Sequence, residues 1–518
     1  MKLLPLLLLT LLGLFHLAPQ TQGAKILLTL GFPGRSQYIF VESYFKALAA
    51  RGHEVTVISP FVNKPVPNVR FILAPKINDH YDEMLAGMNI PGVWAQQKFF
   101  SEMLENIIDC VLSEPAVQKL MHSGEKFDVV LAEMVQTESL FGLAQHFNAS
   151  LIGFSSYGND YHIDLHMGNI SPLSYNPLVT LSLSNPMTFS ERLSNKWEVW
   201  VERAAHYWIH SPAMEKQYAK YFPNAKKTLD EVLDSFDLML LGQHFTLSYP
   251  RPYLPNMIEV GGLHIAHKPK PLPEDVKQFI ESSRDGVIYF SLGSNVKSKD
   301  LPQETRDTLL KVFGGLKQRV LWKFEDDNMP NKPDNVFLSK WFPQPDILAH
   351  KNVKLFISHG GLLSTIESVF FGKPILGIPF FYDQFMNVKR AERMGFGLGL
   401  DLQNLNQAEL EKTINTLLTT PSYGNAAALI SERYRDQPES SLERAVWWTE
   451  YVIRHKGAPH MRATSRDLNF FQLHGWDTSA VLVGLPLLAL VVLVKLSCWL
   501  LSKVFATKQK RTDKQKKH

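Results

Sequence analysis

Two cysteines are all that 518 residues contain, which excludes a disulfide scaffold, and 30 glycines with 31 prolines are too few for a collagen-like or disordered low-complexity chain. A basic domain is missing as well. The formal net charge is +4, yet the stretch 502–518 holds seven Lys/Arg against one Asp, a local +6 that leaves −2 on everything before it. Nucleic acid is therefore not an expected partner. What the chain does have is 45% apolar and 20% charged residues, over a length that calls for two or more domains.

Apolar runs of membrane-relevant length occur at the two ends. In 1–23, Lys2 precedes an apolar stretch from Leu3 to Leu17, and Thr21-Gln22-Gly23 supplies the small and polar residues of a cleavage site. This is the pattern of a secretory signal peptide, with the mature chain starting near Ala24. The second run, 479–501, is long enough to cross a hydrocarbon core of about 30 Å as a helix. Lys495 can snorkel out of it, and Lys503, Lys508, Lys510, Arg511, Lys514, Lys516 and Lys517 place the tail 502–518 in the cytosol by the positive-inside rule. The expectation is a single-pass type I membrane protein with its bulk in the lumen. Lys514 and Lys516, fifth and third from the end, have the spacing of a coat-binding retrieval signal, which points to the endoplasmic reticulum membrane. Cys110 would be lumenal and Cys498 would lie in the span, so they cannot pair. Asn148-Ala149-Ser150 and Asn169-Ile170-Ser171 are glycosylation acceptors, the second weakened by Pro172.

Between these ends, strand-like runs alternate with helical stretches, as in two parallel α/β lobes. Lys25–Leu30, Glu54–Ser59, Val69–Leu73, Asp128–Ala132 and Leu151–Phe154 are short apolar runs of the kind buried on both faces; Val287–Ser291, Val320–Lys323, Leu355–Ser358 and Pro374–Gly377 repeat the pattern. The Pro-rich piece 265–273 reads as a linker. Ligands of such sheets sit beyond the carboxyl ends of the strands. After Leu355–Ser358 comes His359-Gly360-Gly361-Leu362-Leu363-Ser364-Thr365-Ile366-Glu367, in which two glycines let a ligand approach the backbone and the following helix offers N-terminal amides to a diphosphate.

Together with Trp341-Phe342-Pro343-Gln344 and Pro379-Phe380-Phe381-Tyr382-Asp383-Gln384, this turn resembles the signature of the UDP-glycosyltransferases, the family that includes the glucuronosyltransferases. Arg51-Gly52-His53, Tyr249-Pro250-Arg251-Pro252, Ser291-Leu292-Gly293-Ser294 and Asp436-Gln437-Pro438 extend the resemblance over nearly the whole chain. It implies a GT-B fold of two doubly wound Rossmann-like lobes plus one C-terminal transmembrane helix. The implied divisions are signal peptide 1–23, acceptor lobe 24–264, linker 265–273, UDP-sugar lobe 274–430, return helix and juxtamembrane segment 431–478, span 479–501 and tail 502–518. Trp341 would stack on uracil, Gln344 would bond the uridine, Glu367 would take the ribose hydroxyls, Ser294, His359, Gly361 and Ser364 would hold the diphosphate, and Asp383 and Gln384 would bond the sugar. No Asp-x-Asp motif is present, and neither metal nor cofactor is expected.

Three positions depart from the family pattern. The base histidine is Gln37, which cannot take a proton; the aspartate that orients it is Glu133; and Leu363 stands where many relatives have asparagine beside the phosphates. Three readings stay open. Glu133, His162 or His166 replaces the base; or the acceptors are amines, acidic phenols or thiols that need little help; or the chain is a silent UDP-sugar-binding subunit. For the donor, Gly242 stands where glucuronosyltransferases carry an arginine, and the Leu362-Leu363-Ser364-Thr365 form looks like invertebrate members that use glucose, which favours UDP-glucose. Apolar loops at 77–120 and 157–195 imply a small lipophilic acceptor. Homo- or hetero-oligomers are left open.

Overall fold

The computed structural model describes residues 23–87, 90–266, 268–326 and 328–515, with side chains to Lys508. The signal peptide, apart from Gly23, and Lys516 lie outside the described residues.

Residues 23–462 form one unit of two parallel sheets. The first holds β1 Lys25–Thr29, β2 Glu54–Ser59, β3 Val69–Leu73, β4 Val129–Glu133, β5 Ser150–Ser155, β6 Phe236–Leu241 and β7 Met257–Glu259, in the order β3-β2-β1-β4-β5-β6-β7. The second holds β8 Val287–Ser291, β9 Arg319–Lys323, β10 Val336–Ser339, β11 Val353–Ser358, β12 Ile375–Gly377 and β13 Gly397–Gly399, ordered β10-β9-β8-β11-β12-β13. Both are doubly wound α/β lobes, and the strand order reverses between β1 and β4 in one and between β8 and β11 in the other. Crevices at the carboxyl ends of those pairs are where ligands lodge.

The continuous apolar runs become strands because each sheet is covered on both faces. Leu27 and Val130 join one core with Ile107 and Val111 of helix Val93–Leu112, while Ile26, Leu28 and Leu131 join another with Val41, Phe45 and Leu48 of helix Arg35–Ala50. In the second sheet Val287 and Tyr289 face one core, Ile288 and Phe290 the other. Helix Ser441–His455 returns to the first lobe. A capping box of Ser440 and Glu443 starts it, Val446 and Val452 enter the Leu28 core, and Thr449 hydrogen-bonds Tyr44. Each fully buried valine contributes about 1.5–3 kcal/mol to that attachment.

Residues 463–515 form the second unit. Its main element is helix Trp476–Gln515, within which Trp476–Lys508 is fully exposed, with a mean hydropathy of 2.5 in its most apolar part. That length is about 50 Å at 1.5 Å per residue, enough to cross a bilayer.

Candidate functional site

A cavity of about 880 Å³ opens between the two sheets where their strand orders reverse. The segments after β1, β4, β8 and β11 all contribute to it. Of the residues singled out from the sequence, Gln37, Ser294, Trp341, Gln344, His359, Gly361, Ser364, Glu367, Asp383 and Gln384 line this cavity, and Glu133 does not.

On the second-lobe side, the Glu367 carboxylate is held from two directions. His264 Nε2 lies 2.9 Å from one oxygen, and Gln344 Nε2 donates to the other at 2.8 Å and to Ser364 Oγ at 3.1 Å. Trp341, 55% exposed, leaves an indole face free of core packing, with the Lys323 ammonium 5.9 Å from its ring. His359 sits between two glycines. A Cβ on Gly293 would come within 2.4 Å of its ring and one on Gly361 within 2.5 Å, and Gly293 also has φ +79°. Glycine is therefore required twice for one imidazole to lie at the head of helix Leu362–Phe370. Burial, aided by Lys323, pushes His359 down to about 4, so it is a neutral donor or acceptor at pH 7. Asp383 Oδ2 accepts from Leu362 N at 3.1 Å and Asn387 Nδ2 at 2.6 Å, and Gln384 Oε1 accepts from Phe380 N at 2.8 Å. These two side chains thus shape the turn that carries Tyr382, itself at φ +55°. Burial raises Asp383 to about 6.

The first-lobe side is mixed: Phe32, Phe100 and Leu104 form an apolar wall beside the polar Gln37, Gln136, Asp160 and Glu202. Gln37, in the first turn of helix Arg35–Ala50, folds back over Gly34, and its Oε1 accepts from Ser36 Oγ at 2.9 Å. Glu133 ends β4 at 2% exposure, neither oxygen has a partner among the described residues, and burial pushes it up to about 8. It is a protonated acid at neutral pH, and Gln37 gives it no hydrogen bond. His162 lines the cavity and is held neutral by burial; His166 is buried and does not line it.

Lys323, Asp160, Glu202 and His264 are among the lining residues that the sequence did not mark as candidates. Lys323 ends β9, so the rule about carboxyl ends of strands would have found it. Asp160 caps helix Tyr161–Met167, accepting from His162 N at 2.9 Å and Ile163 N at 3.0 Å. Glu202 and His264 carry no sequence mark; burial and Asp160 raise Glu202 to about 7.

Gly242 does not face the donor sugar as expected. Gly242 is packed after β6, where a Cβ would lie 2.6 Å from Ser155 O and 3.0 Å from Phe40, and it does not line the cavity. An arginine has no room there, so its absence says nothing of the donor. Asn148 is exposed, at φ +52°, whereas Asn169 Nδ2 donates to Asp164 Oδ1 at 2.8 Å and Pro252 O at 3.0 Å, leaving neither hydrogen for a glycan bond.

Comparison with known proteins gives a consistent result. The model of the family "UDP-glucoronosyl and UDP-glucosyl transferase" matches residues 30–512. UDP-glucosyltransferase 2 of Dactylopius coccus is 35% identical over 90% of this chain and 91% of its own, and UDP-glucuronosyltransferase 2B16 of Oryctolagus cuniculus 32% over 90% and 92%. Among solved structures, the calicheamicin glycosyltransferase CalG4 superimposes with a TM-score of 0.57 at 15% identity, covering 84% of this chain and 99% of its own.

Proposed function

The chain belongs to the UDP-glucoronosyl and UDP-glucosyl transferase family, and on that premise we propose that it moves glucose from UDP-glucose to small lipophilic phenols and amines, in conjugation of the detoxification type. One observation carries this reading: a single cavity joins the apolar wall of Phe32, Phe100 and Leu104 to Trp341, Gln344, His359 and Glu367. Uracil stacks on the free Trp341 face, the Glu367 carboxylate takes the ribose diol, and the diphosphate meets the amides after Gly361 beside His359. A sugar hydroxyl is left Asp383 Oδ1 and Gln384 Nε2, the atoms not tied into the turn. The glucose assignment leans on the name of one relative, UDP-glucosyltransferase 2 of Dactylopius coccus, since Gly242 does not bear on it.

With glutamine at position 37, the acceptor brings its own reactivity. A phenolate has already lost its proton, and an amine attacks through its lone pair and loses a proton to water afterwards, as UDP departs. The test is turnover of UDP-glucose and UDP-glucuronate by the full chain with matched acidic phenols, aromatic amines and aliphatic alcohols. UDP-glucose with phenols and amines should be fastest. Faster use of UDP-glucuronate overturns the donor assignment, and UDP binding without turnover of any acceptor overturns the enzyme. His359→Ala should lower transfer by about 10²-fold, the scale of losing one donor to a developing charge. An unchanged rate would remove His359 from the diphosphate site.

The membrane arrangement is part of the proposal. Protease added to intact microsomes should remove only the residues after Leu501, because the basic tail alone faces the cytosol. Digestion of the bulk without detergent would reverse the orientation. A glycan is proposed on Asn148 alone, for the reason given at Asn169.

A further inference from the structure

Behind the acceptor wall lies a cluster that sugar transfer does not use. Helix Phe189–Ala205 passes into a five-residue π-helical turn, His206–His210, before helix Ser211–Tyr221. Such turns re-aim side chains and are frequent at functional sites. This one puts His206 and His210 against Glu138, and one ligand atom from each of the three lies within 4.8 Å of the other two. Glu138 is 2% exposed and His210 fully buried.

Among the described residues, two nitrogens here have no partner. His206 Nδ1 is buried and unpaired, and so is Nδ1 of His162, whose ring centre lies 4.6 Å from that of His206. Leaving such an atom buried and unsatisfied is unfavourable, so a ligand that engages one is favoured. His210, by contrast, is fixed at both nitrogens, by Glu138 Oε2 at 2.8 Å and Ser101 Oγ at 3.0 Å. Two imidazoles and a carboxylate are the donor set that zinc takes in three-ligand sites, whereas calcium and magnesium prefer all-oxygen shells. A histidine ligand usually gives its remaining N–H to an oxygen, which is the position of Ser101.

We propose that Glu138, His206 and His210 form a transition-metal site of the zinc type, with Ser101 orienting His210 and His162 standing between the site and the acceptor cavity. On binding, neutral His210 ligates through Nε2 in place of its hydrogen bond to Glu138 and carries its single N–H on Nδ1, toward Ser101 Oγ. The ion ties together three pieces of the acceptor wall. Helix Val93–Leu112 carries Ser101 together with the lining residues Phe100 and Leu104, helix Phe189–Ala205 carries Glu202, and the turn after β4 carries Gln136 and Glu138.

The full chain, purified in detergent and stripped with a chelator, is titrated with Co²⁺ as an optical probe and then with Zn²⁺, with UDP binding as the measure of folding. One equivalent of Co²⁺ should give visible d–d bands that Zn²⁺ abolishes. Ser101→Ala should weaken binding by about 10–100-fold, the usual cost of losing a ligand's orienting partner. His206→Ala and Glu138→Gln, which remove ligands, should each weaken it more than that. UDP affinity should be the same with and without metal, since the donor lobe supplies it. Absence of saturable Co²⁺ or Zn²⁺ binding by wild type that still binds UDP overturns the proposal. Undiminished binding by His206→Ala overturns it as well, and this variant stands alone if Glu138→Gln does not fold.

Discussion

Gln37→His is expected to raise transfer to aliphatic alcohols by up to about 10²-fold, the scale of general-base catalysis, with little change in UDP affinity or in turnover of acidic phenols. Gln37 already faces the cavity from the first turn of helix Arg35–Ala50, so an imidazole there meets the acceptor. The carboxyl that would orient it is also present: Glu133 ends β4, the neighbour of β1, and both its oxygens are without a partner. A histidine N–H offers that group the hydrogen bond it lacks. Glu133→Gln made in the Gln37→His background should therefore cancel most of the gain, while Glu133→Gln in the wild type should leave alcohol turnover close to its low starting value. Values of kcat/KM for a matched alcohol, phenol and amine across the four proteins measure the coupling. Loss of alcohol turnover in Glu133→Gln alone would instead make Glu133 the base itself, and a Gln37→His protein no faster on alcohols would dismiss the missing base as the limit on rate.

Most of the strands legible in the sequence lie inside the sheets, where burial on both faces demands an unbroken apolar run; Val69–Leu73 was legible too, but as β3 it is an edge strand with Arg70 and Leu73 exposed and is not buried on both faces. Those that were missed have reasons of their own. β6 begins Phe236-Asp237, and its aspartate is there to accept from Ala458 N at 2.6 Å, a partner 221 residues away. β7 and β13 are three residues long, and β13 is Gly-Leu-Gly, where the side chains of Ile375 and Ala391 fill the space a Cβ on Gly397 would take. The second-lobe side of the cavity was legible because the Gly360-Gly361 turn and the Trp341-Phe342-Pro343-Gln344 segment are local features of the sequence. His264 was not, since its bond to Glu367 spans 103 residues. Gly242 misled for a related reason: alignment to a motif gives a position in the chain, and only packing says whether that position faces the ligand. Glu133 is the same lesson in electrostatics, because its isolation from both water and partners is created by the sheet around it.

That isolation gives the last expected result: Glu133→Gln should abolish a fall in stability that the wild type shows between pH 5 and pH 8. Burial raises this carboxyl from 4.5 to about 8. Below pH 4.5 the folded and unfolded chains both hold the proton and the group exacts no penalty. Between 4.5 and 8 the unfolded chain releases it and the folded chain keeps it, so stability falls by about 1.4 kcal/mol per pH unit, and above 8 the fall levels off. Over the whole window the loss is on the order of 5 kcal/mol, because at 2% exposure water screens the site little. Glutamine has no proton to lose. It adds a pH-independent cost of about 1–3 kcal/mol for its own unpaired amide, so the slope and not the absolute stability is the quantity to compare. Unfolding midpoints of the full chain against pH, wild type beside Glu133→Gln, measure it; parallel curves would mean that the carboxyl is hydrated or paired in solution. The two expected results are linked through one proton. In Gln37→His the imidazole gives Glu133 a cationic, hydrogen-bonding neighbour, which favours the carboxylate and lowers its pKa. The fall in stability should then begin to level off below pH 8 in the same variant that gains activity on alcohols.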